Sequence, residues 1–265
     1  MKVSQKIILS ILLLLTLVVG YFSIEFIHGF SSAKQSSTVK KVEPKSVPTT
    51  LNVALIGSDA RSKDENGRSD SLLVAQYNQK TQQAKLISIM RDSYVDIPGY
   101  GMNKINAAYS YGGVDLLNQT LKENFKFEAP YYASITFQDF IDCVNELFPG
   151  GVKIDAEKSL DLDGVYINKG GQVIKAISQQ LKDVTSIFKL PKAVGKLLGS
   201  IQTNLPESVL LDCGMDFLKD NNKKIDTLSV PVDGSWDFND NTPSGSVLEL
   251  DLTKNQEAIK KFLNN

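Results

Sequence analysis

The chain has 265 residues with 29 basic and 30 acidic side chains, and 42% of its residues are hydrophobic. Six of the lysines and only two of the glutamates lie in the first fifty residues, so the remainder is acidic and lacks the basic face that nucleic-acid binding normally requires. The single histidine, His28, lies in the membrane-proximal segment, which excludes His-dependent triads in the rest of the chain, and one histidine cannot form an HExxH zinc site. Cys143 and Cys213 allow either one disulfide or two buried thiols.

The N-terminal segment predicts a membrane anchor. Lys2 and Lys6 precede an apolar run, Ile7 to Phe22, and its extension past Glu25 gives a segment of residues 7–27. That segment reaches the roughly 20 residues needed to cross a bilayer. Lysines before the run place the N-terminus in the cytoplasm and the rest of the chain outside the cell.

A cleaved signal peptide is the alternative interpretation, because Ser31 and Ala33 form a weak small-x-small site. Both interpretations place the working domain across the membrane. The predicted organisation is a cytoplasmic tail (1–6), a transmembrane anchor (7–27), an extracellular linker rich in Ser, Lys, Val, Pro and Thr (28–50), and one domain (51–265).

Strand and helix patterns alternate along the domain. The first two strand patterns are apolar throughout, which indicates strands covered on both faces of a sheet. A capping box of Thr253 and Gln256 opens the last helix pattern. The alternation predicts an α/β fold with a mixed central β-sheet and helices on both faces. The predicted strands are 51–56, 72–77, 86–90, 131–136, 152–154, 225–232 and 247–252, and the predicted helices are 106–111, 114–125, 137–147, 172–188, 206–218 and 253–263.

All three arginines of the chain, Arg61, Arg68 and Arg91, fall within one 31-residue window, and each stands beside an aspartate near a strand end. A guanidinium group binds two phosphate oxygens at once and does not lose its proton, whereas a lysine is a point charge. The pattern therefore indicates a phosphate site with a divalent cation held by carboxylates. Three structural ion pairs are the alternative.

Several motifs occur in a characteristic order: GSDAR, GRSD, MRDSYVDIPGYG, KINAAYSYGG and FPGGV. On these motifs the chain resembles the LytR-CpsA-Psr family of membrane-anchored bacterial cell-envelope proteins, over residues from about 51 to 155. The resemblance implies a phosphotransferase that moves a glycopolymer, such as a teichoic acid or capsular polysaccharide, from undecaprenyl pyrophosphate to peptidoglycan.

The resemblance also implies site residues. Asp59 and Asp70 would hold Mg²⁺ or Mn²⁺, while Arg61, Arg68 and Arg91 would bind the lipid pyrophosphate. Clamping of phosphate charge by cations supplies most of the catalysis in such a transfer, and an ion that keeps some waters needs only one or two carboxylates.

Two further residues, Asp92 and Lys104, have open assignments, and Asn106 has a structural one. Asp92 either acts with Arg91 in catalysis, by orienting the acceptor hydroxyl or taking its proton, or is a turn residue. Lys104 either adds a charge to the phosphate site or is an ordinary solvated lysine. Asn106 is interpreted as a helix cap.

The chain departs from the family pattern after residue 155. Family members continue into a segment with an RxRxD…DxxRxxRQ pattern, whereas this chain has no arginine after Arg91. We interpret this as a loss of roughly two dozen residues at the Gly170–Gly171 junction, where the hydrophobic period changes abruptly. The alternative function is therefore a polyprenyl-phosphate-binding sensor or scaffold with weakened or no catalysis.

Overall fold

The structure is a computed structural model, and it describes residues 20–32, 48–60, 67–81, 83–148, 184–206, 209 and 225–264. Its helices are α1 (20–32), α2 (Asn106–Phe125), α3 (Phe137–Leu147), α4 (Val184–Ser200) and α5 (Leu252–Asn264). Its strands are β1 (Thr50–Ser58), β2 (Ser69–Asn78), β3 (Gln83–Ile89), β4 (Ser93–Ile97), β5 (Gly101–Lys104), β6 (Tyr131–Thr136), β7 (Gln202–Thr203), β8 (Asp226–Val230), β9 (Trp236–Thr242) and β10 (Gly245–Leu250).

The described strands form two mixed sheets. The six-stranded sheet has the order β7-β6-β1-β2-β3-β8, with parallel pairs at β1–β6 and β3–β8. The four-stranded sheet has the order β5-β4-β10-β9, with one parallel pair, β4–β10. The mixed α/β class predicted from the sequence is confirmed, although the strands divide between two sheets instead of one central sheet.

Strand β1 is packed on both faces, as its largely apolar sequence predicts. Ala54 and Ile56 belong to the main core with α2, α5 and strand β4, whereas Leu51 and Val53 belong to a second cluster. Because side chains alternate along a strand, these two sets point to opposite sides of the sheet. The largest fully buried side chains of the main core are Leu72, Ile87, Ile97, Ile105, Leu117, Leu121, Phe125 and Ile259.

Most of the predicted elements within the described residues are present. The two helix patterns on either side of Gly112 and Gly113 form one helix, α2, with non-helical backbone at both glycines. Strands β4, β5, β7 and β9 were not predicted. Strands β4 and β5 are short strands of the SYVDIPGYGMNK segment, β7 has only two residues, and β9 is largely polar. The predicted strand 152–154, the helix 206–218 and residues 172–183 lie outside the described residues, apart from residues 206 and 209.

The predicted capping box of α5 is wrong. Helix α5 begins at Leu252, and the amide of Lys254 donates to Asp251 Oδ1 at 3.1 Å, so Asp251 caps the helix. Gln256 instead donates from Nε2 to the carbonyl of Asn124 at 2.7 Å, which joins α5 to α2. Gln256 therefore bonds to the distant carbonyl of Asn124 and not to its local capping-box partner, Thr253.

By contacts the chain divides into two compact units, one of residues 36–137, 157–171 and 202–265 and one of residues 1–35, 138–156 and 172–201. The second unit contains α1, α4 and nearly all of α3. There α1 and α4 cross at glycines: a Cβ on Gly29 would lie 1.9 Å from the Lys192 carbonyl oxygen, and one on Gly195 would lie 2.2 Å from that of Phe26. Only glycine permits this approach of two backbones.

Among the described residues, no helix has both the length and the apolar content to span a membrane. Residues 7–19 of the predicted anchor lie outside the described residues. The membrane anchor stays a prediction.

Cys143 on α3 is a free thiol and 5% exposed. Burial raises its pKa from the ordinary value of 9.0 to about 11, with Lys196 acting in the opposite direction. In a Cys213→Ser variant, we expect alkylation of the folded protein by iodoacetamide to stay slow up to pH 9 and to accelerate only towards pH 11.

The same shift predicts how stability depends on pH. The unfolded thiol ionises near pH 9 while the folded thiol stays neutral, so the free energy of unfolding should fall between pH 9 and 11. Denaturant titrations at pH 8 and 10.5, compared with those of a Cys143→Ala variant, measure this loss. In the alkylation experiment, rapid reaction of the folded Cys213→Ser protein at pH 8 would contradict the raised pKa of Cys143.

Candidate functional site

The two aspartates predicted to hold a cation lie at the same end of the antiparallel pair β1–β2. Gly57 pairs with Ser71 and Ser58 with Ser69, so Asp70 is the extra residue of a β-bulge. Asp59 directly follows the last residue of β1. Since adjacent strands lie about 4.8 Å apart, both aspartates start from neighbouring backbone positions, and a bulge commonly redirects a side chain beside a functional site.

Asp59 also closes the loop that joins the two strands. Its Oδ1 accepts from the Arg68 amide at 2.6 Å, and its own amide donates to the Arg68 carbonyl at 3.2 Å. A Cβ on Gly67 would lie 2.5 Å from Asp59 Oδ1, so glycine is required at that close approach. Asp59 and Arg68 are both exposed, and Arg61 lies outside the described residues.

Four charged side chains form a network beside this loop. Arg91 Nη1 lies 3.4 Å from Asp70 Oδ1, and Arg91 Nε lies 3.6 Å from Asp92 Oδ2. Lys104 Nζ lies 2.8 Å from Asp92 Oδ1. Ion pairs with side chains 22% to 42% exposed contribute only about 0–1 kcal/mol each, so stability does not explain their clustering.

The backbone brings the members of this network together from three elements. Arg91 and Asp92 lie between β3 and β4, where the Met90 amide donates to Val230 and the Ser93 amide to Met90. Lys104 ends β5 and pairs with Tyr94 across the β4–β5 hairpin. The hairpin that the sequence did not predict thus returns Lys104 to Asp92.

Asn106 adds a contact that sequence reasoning missed. Its Nδ2 donates to Asp70 Oδ1 at 3.1 Å, and its amide donates to the Arg91 carbonyl at 3.3 Å. The predicted capping role is wrong, because Ile105 is the N-cap of α2 and no side chain caps that end. The sequence holds only a partial signal, an amide between the apolar residues Ile105 and Ala107. The structure buries both of these neighbours, and a buried amide needs polar partners, but the sequence does not identify Asp70 as the partner.

The side-chain carbonyl oxygen of Asn106 is buried without a hydrogen-bond partner, although the residue is only 4% exposed. Turning the amide over would place that oxygen against the Asp70 carboxylate, so the donor must face Asp70. Leaving an acceptor unsatisfied costs about 1–3 kcal/mol. The hydrogen bond from Asn106 Nδ2 to Asp70 is therefore formed at the cost of an unsatisfied Asn106 side-chain oxygen.

The arrangement is suited to an anionic ligand with a hard cation. Among the described residues there is no group of three or more His, Cys, Asp or Glu side chains placed to hold a metal ion. Two carboxylates are nevertheless sufficient for Mg²⁺ or Mn²⁺, since such ions complete their octahedral shell with waters and phosphate oxygens. The Arg91 and Lys104 side chains, 42% and 22% exposed, remain accessible to phosphate.

Asp92 has both carboxylate oxygens engaged, Oδ1 with Lys104 and Oδ2 with Arg91. It is therefore held by ion pairs on two sides. A proton-accepting role requires that substrate binding draw at least one of these cations towards phosphate.

Comparisons with known proteins agree with this architecture. Regulatory protein MsrR of Staphylococcus aureus is 32% identical over 276 residues, covering 89% of this chain and 84% of MsrR. The polyisoprenyl-teichoic acid--peptidoglycan teichoic acid transferase TagT of Bacillus subtilis is 35% identical over 149 residues, covering 54% of this chain and 46% of TagT. A solved structure of TagT with bound octaprenyl pyrophosphate lipid matches with a TM-score of 0.54 and 25% identity, covering 89% of this chain and 97% of that one.

The LytR_cpsA_psr family model matches residues 21–172 and, separately, residues 167–261. The two matches meet at residues 167–172, around the Gly170–Gly171 junction where the sequence departs from the family pattern. The MsrR alignment is longer than the chain itself, so MsrR has residues without a counterpart here. Matched over most of its length by the family model, and related to MsrR across most of both proteins, this chain belongs to the LytR-CpsA-Psr family.

Proposed function

We propose that this protein is a membrane-anchored phosphotransferase that moves a glycopolymer from a polyprenyl pyrophosphate carrier to peptidoglycan. The network of Asp70, Arg91, Asp92 and Lys104 beside the Asp59 loop carries the proposal. The names of the relatives support it, since TagT transfers teichoic acid to peptidoglycan and binds octaprenyl pyrophosphate. Residues 7–27 would anchor the protein with residues 51–265 outside the cell, where protease added to intact cells should digest them.

The reaction requires charge stabilisation more than covalent chemistry. An acceptor hydroxyl oxygen bonds to the phosphorus that carries the glycan, and the bond from that phosphorus to the bridging oxygen breaks. Polyprenyl phosphate then leaves, and the hydroxyl proton passes to a base. Negative charge grows on the phosphate oxygens in the transition state, so preorganised cations lower the barrier.

The residues divide this work between them. Arg91 would exchange its contacts with Asp70 and Asp92 for phosphate oxygens, which its planar fork can bind in pairs. Lys104 would add a second positive charge, and release of Asp92 from these cations would leave its carboxylate to orient or deprotonate the acceptor hydroxyl. Asp59 and Asp70 would hold Mg²⁺ or Mn²⁺, which supplies further positive charge to the pyrophosphate when bound.

A second candidate is a protein that binds polyprenyl phosphates without turnover. It is favoured by the absence of arginine after Arg91 and by the interrupted family match at residues 167–172. Lysines after that point cannot replace a bidentate guanidinium. The two candidates share the binding site and differ only in whether the phosphorus–oxygen bond breaks.

The deciding experiment uses the full-length protein in liposomes with a polyprenyl-pyrophosphate-linked glycan, Mg²⁺ and peptidoglycan. We expect release of polyprenyl phosphate together with glycan attachment, both lost in an Arg91→Ala variant. Tight binding of the lipid with no release under any metal condition would reject the enzyme and favour the second candidate.

Replacing Arg91 by Lys keeps the charge but removes the fork. We expect kcat/KM for transfer to fall by about 100-fold or more, because one preorganised donor pair is lost in the transition state. Lys122→Arg is the matched control, since Lys122 forms an exposed ion pair with Glu128 at 2.6 Å and should change activity little. Full transfer activity in Arg91→Lys would contradict a requirement for the planar guanidinium group at this position.

Replacing Asp70 by Ala should weaken metal dependence more than lipid binding. We expect the Mg²⁺ concentration for half-maximal transfer to rise at least about tenfold, while the Kd for polyprenyl pyrophosphate without Mg²⁺ changes less. Asp96→Asn, an exposed carboxylate on β4, is the control. A larger loss in lipid affinity than in metal affinity would contradict the metal assignment.

A further inference from the structure

We propose that Asn106 is a positioning residue that holds the Asp70 carboxylate and presents its second oxygen to the cation. The inference rests on the proposed function and assigns Asn106 a role within that site. It is carried by two observations: the contact of Asn106 Nδ2 with Asp70 Oδ1 at 3.1 Å, and the orphaned carbonyl oxygen of the same amide.

The direction of the contacts supports this role. Asn106 Nδ2 and Arg91 Nη1 both address the same oxygen, Asp70 Oδ1, at 3.1 Å and 3.4 Å. Because both donors engage Oδ1, we assign the other oxygen, Oδ2, to the cation. Hydrogen bonds of this kind commonly tune metal affinity, because they set the orientation of the ligating group.

The two partners of Asp70, Arg91 and Asn106, differ in how firmly the structure holds them. The side chain of Arg91 is 42% exposed and is the group that phosphate would draw away. Asn106 is 4% exposed, starts helix α2, and is tied through its backbone amide to the Arg91 carbonyl. When phosphate binds Arg91, Asn106 therefore remains as the fixed donor to Asp70.

The orphaned oxygen separates this role from a structural one. A residue kept for stability would have its buried polar atoms satisfied, and an apolar side chain of similar size would remove the unsatisfied acceptor. Asn106→Leu should therefore leave the thermal unfolding temperature unchanged or raise it. A positioning role predicts that the same variant binds the cation less tightly.

Asn124 is the matched control on the same helix. Its amide is 5% exposed and fully used: Nδ2 donates to the Asp96 and Thr120 carbonyls, and Oδ1 accepts from the Asp96 amide. Asn124→Leu should therefore lower the unfolding temperature without changing cation affinity. The two variants are expected to show opposite patterns of stability and binding.

The test measures binding of Mn²⁺ to full-length protein by electron paramagnetic resonance, with and without polyprenyl pyrophosphate, beside thermal unfolding. In Asn106→Leu we expect the Kd for Mn²⁺ to rise by about 10- to 100-fold, with no loss of thermal stability. Asn124→Leu should keep the wild-type Kd. Lipid binding without metal should stay within about threefold of wild type in both variants, since neither amide is assigned to the phosphates.

The outcomes separate this inference from the proposed function. A wild-type protein that binds Mn²⁺ but transfers no glycan, with affinity reduced in Asn106→Leu, supports the positioning role while rejecting the enzyme. An unchanged Mn²⁺ affinity in Asn106→Leu overturns the positioning role even if transfer is observed. A wild-type protein that binds no Mn²⁺ overturns it as well.

Discussion

The contact between Arg91 and Asp70 is the interaction on which the site depends. It joins the start of β2 to the segment between β3 and β4, and Asp92 and Lys104 extend it to the β4–β5 hairpin. Two carboxylates and two cations at 2.8 to 3.6 Å neutralise one another while partly exposed. Each of these partly exposed ion pairs contributes only about 0–1 kcal/mol, so the proposed exchange of partners for phosphate and a cation would cost little free energy.

The surrounding fold sets the position of the Asp70 side chain in this network. A bulge at the end of the β1–β2 pair turns Asp70 out of the regular ladder, and close approaches at Gly57 and Gly67 hold the loop base. Asn106 then fixes the carboxylate from the buried side. The β-bulge and the neutral Asn106 amide thus position the Asp70 carboxylate independently of its ion pair with Arg91.

All three arginines of the chain lie before the interruption of the family match. The guanidinium groups that the family resemblance assigns to pyrophosphate all precede residue 92, and no arginine follows them in the sequence. The family model is interrupted at residues 167–172. The arginine and aspartate residues predicted to bind a phosphate and a cation all lie before residue 93, and the interruption of the family match lies after them.

The sequence by itself determined the elements whose signals are local. Largely apolar runs predicted strands β1 and β2, and the amphipathic period predicted α3 with its observed bounds. Burial on both faces of a strand or on one stripe of a helix imposes those patterns. Clustered Arg and Asp residues likewise indicated which strand ends carry the site. Tertiary structure alone decided which partner each polar group takes. Asn106 contacts Asp70 instead of capping α2, and Gln256 bonds to the carbonyl of Asn124. These donors and acceptors are far apart in the chain, and only folding brings them within hydrogen-bond distance, about 3 Å. The spacing of residues in the sequence therefore does not predict these partners.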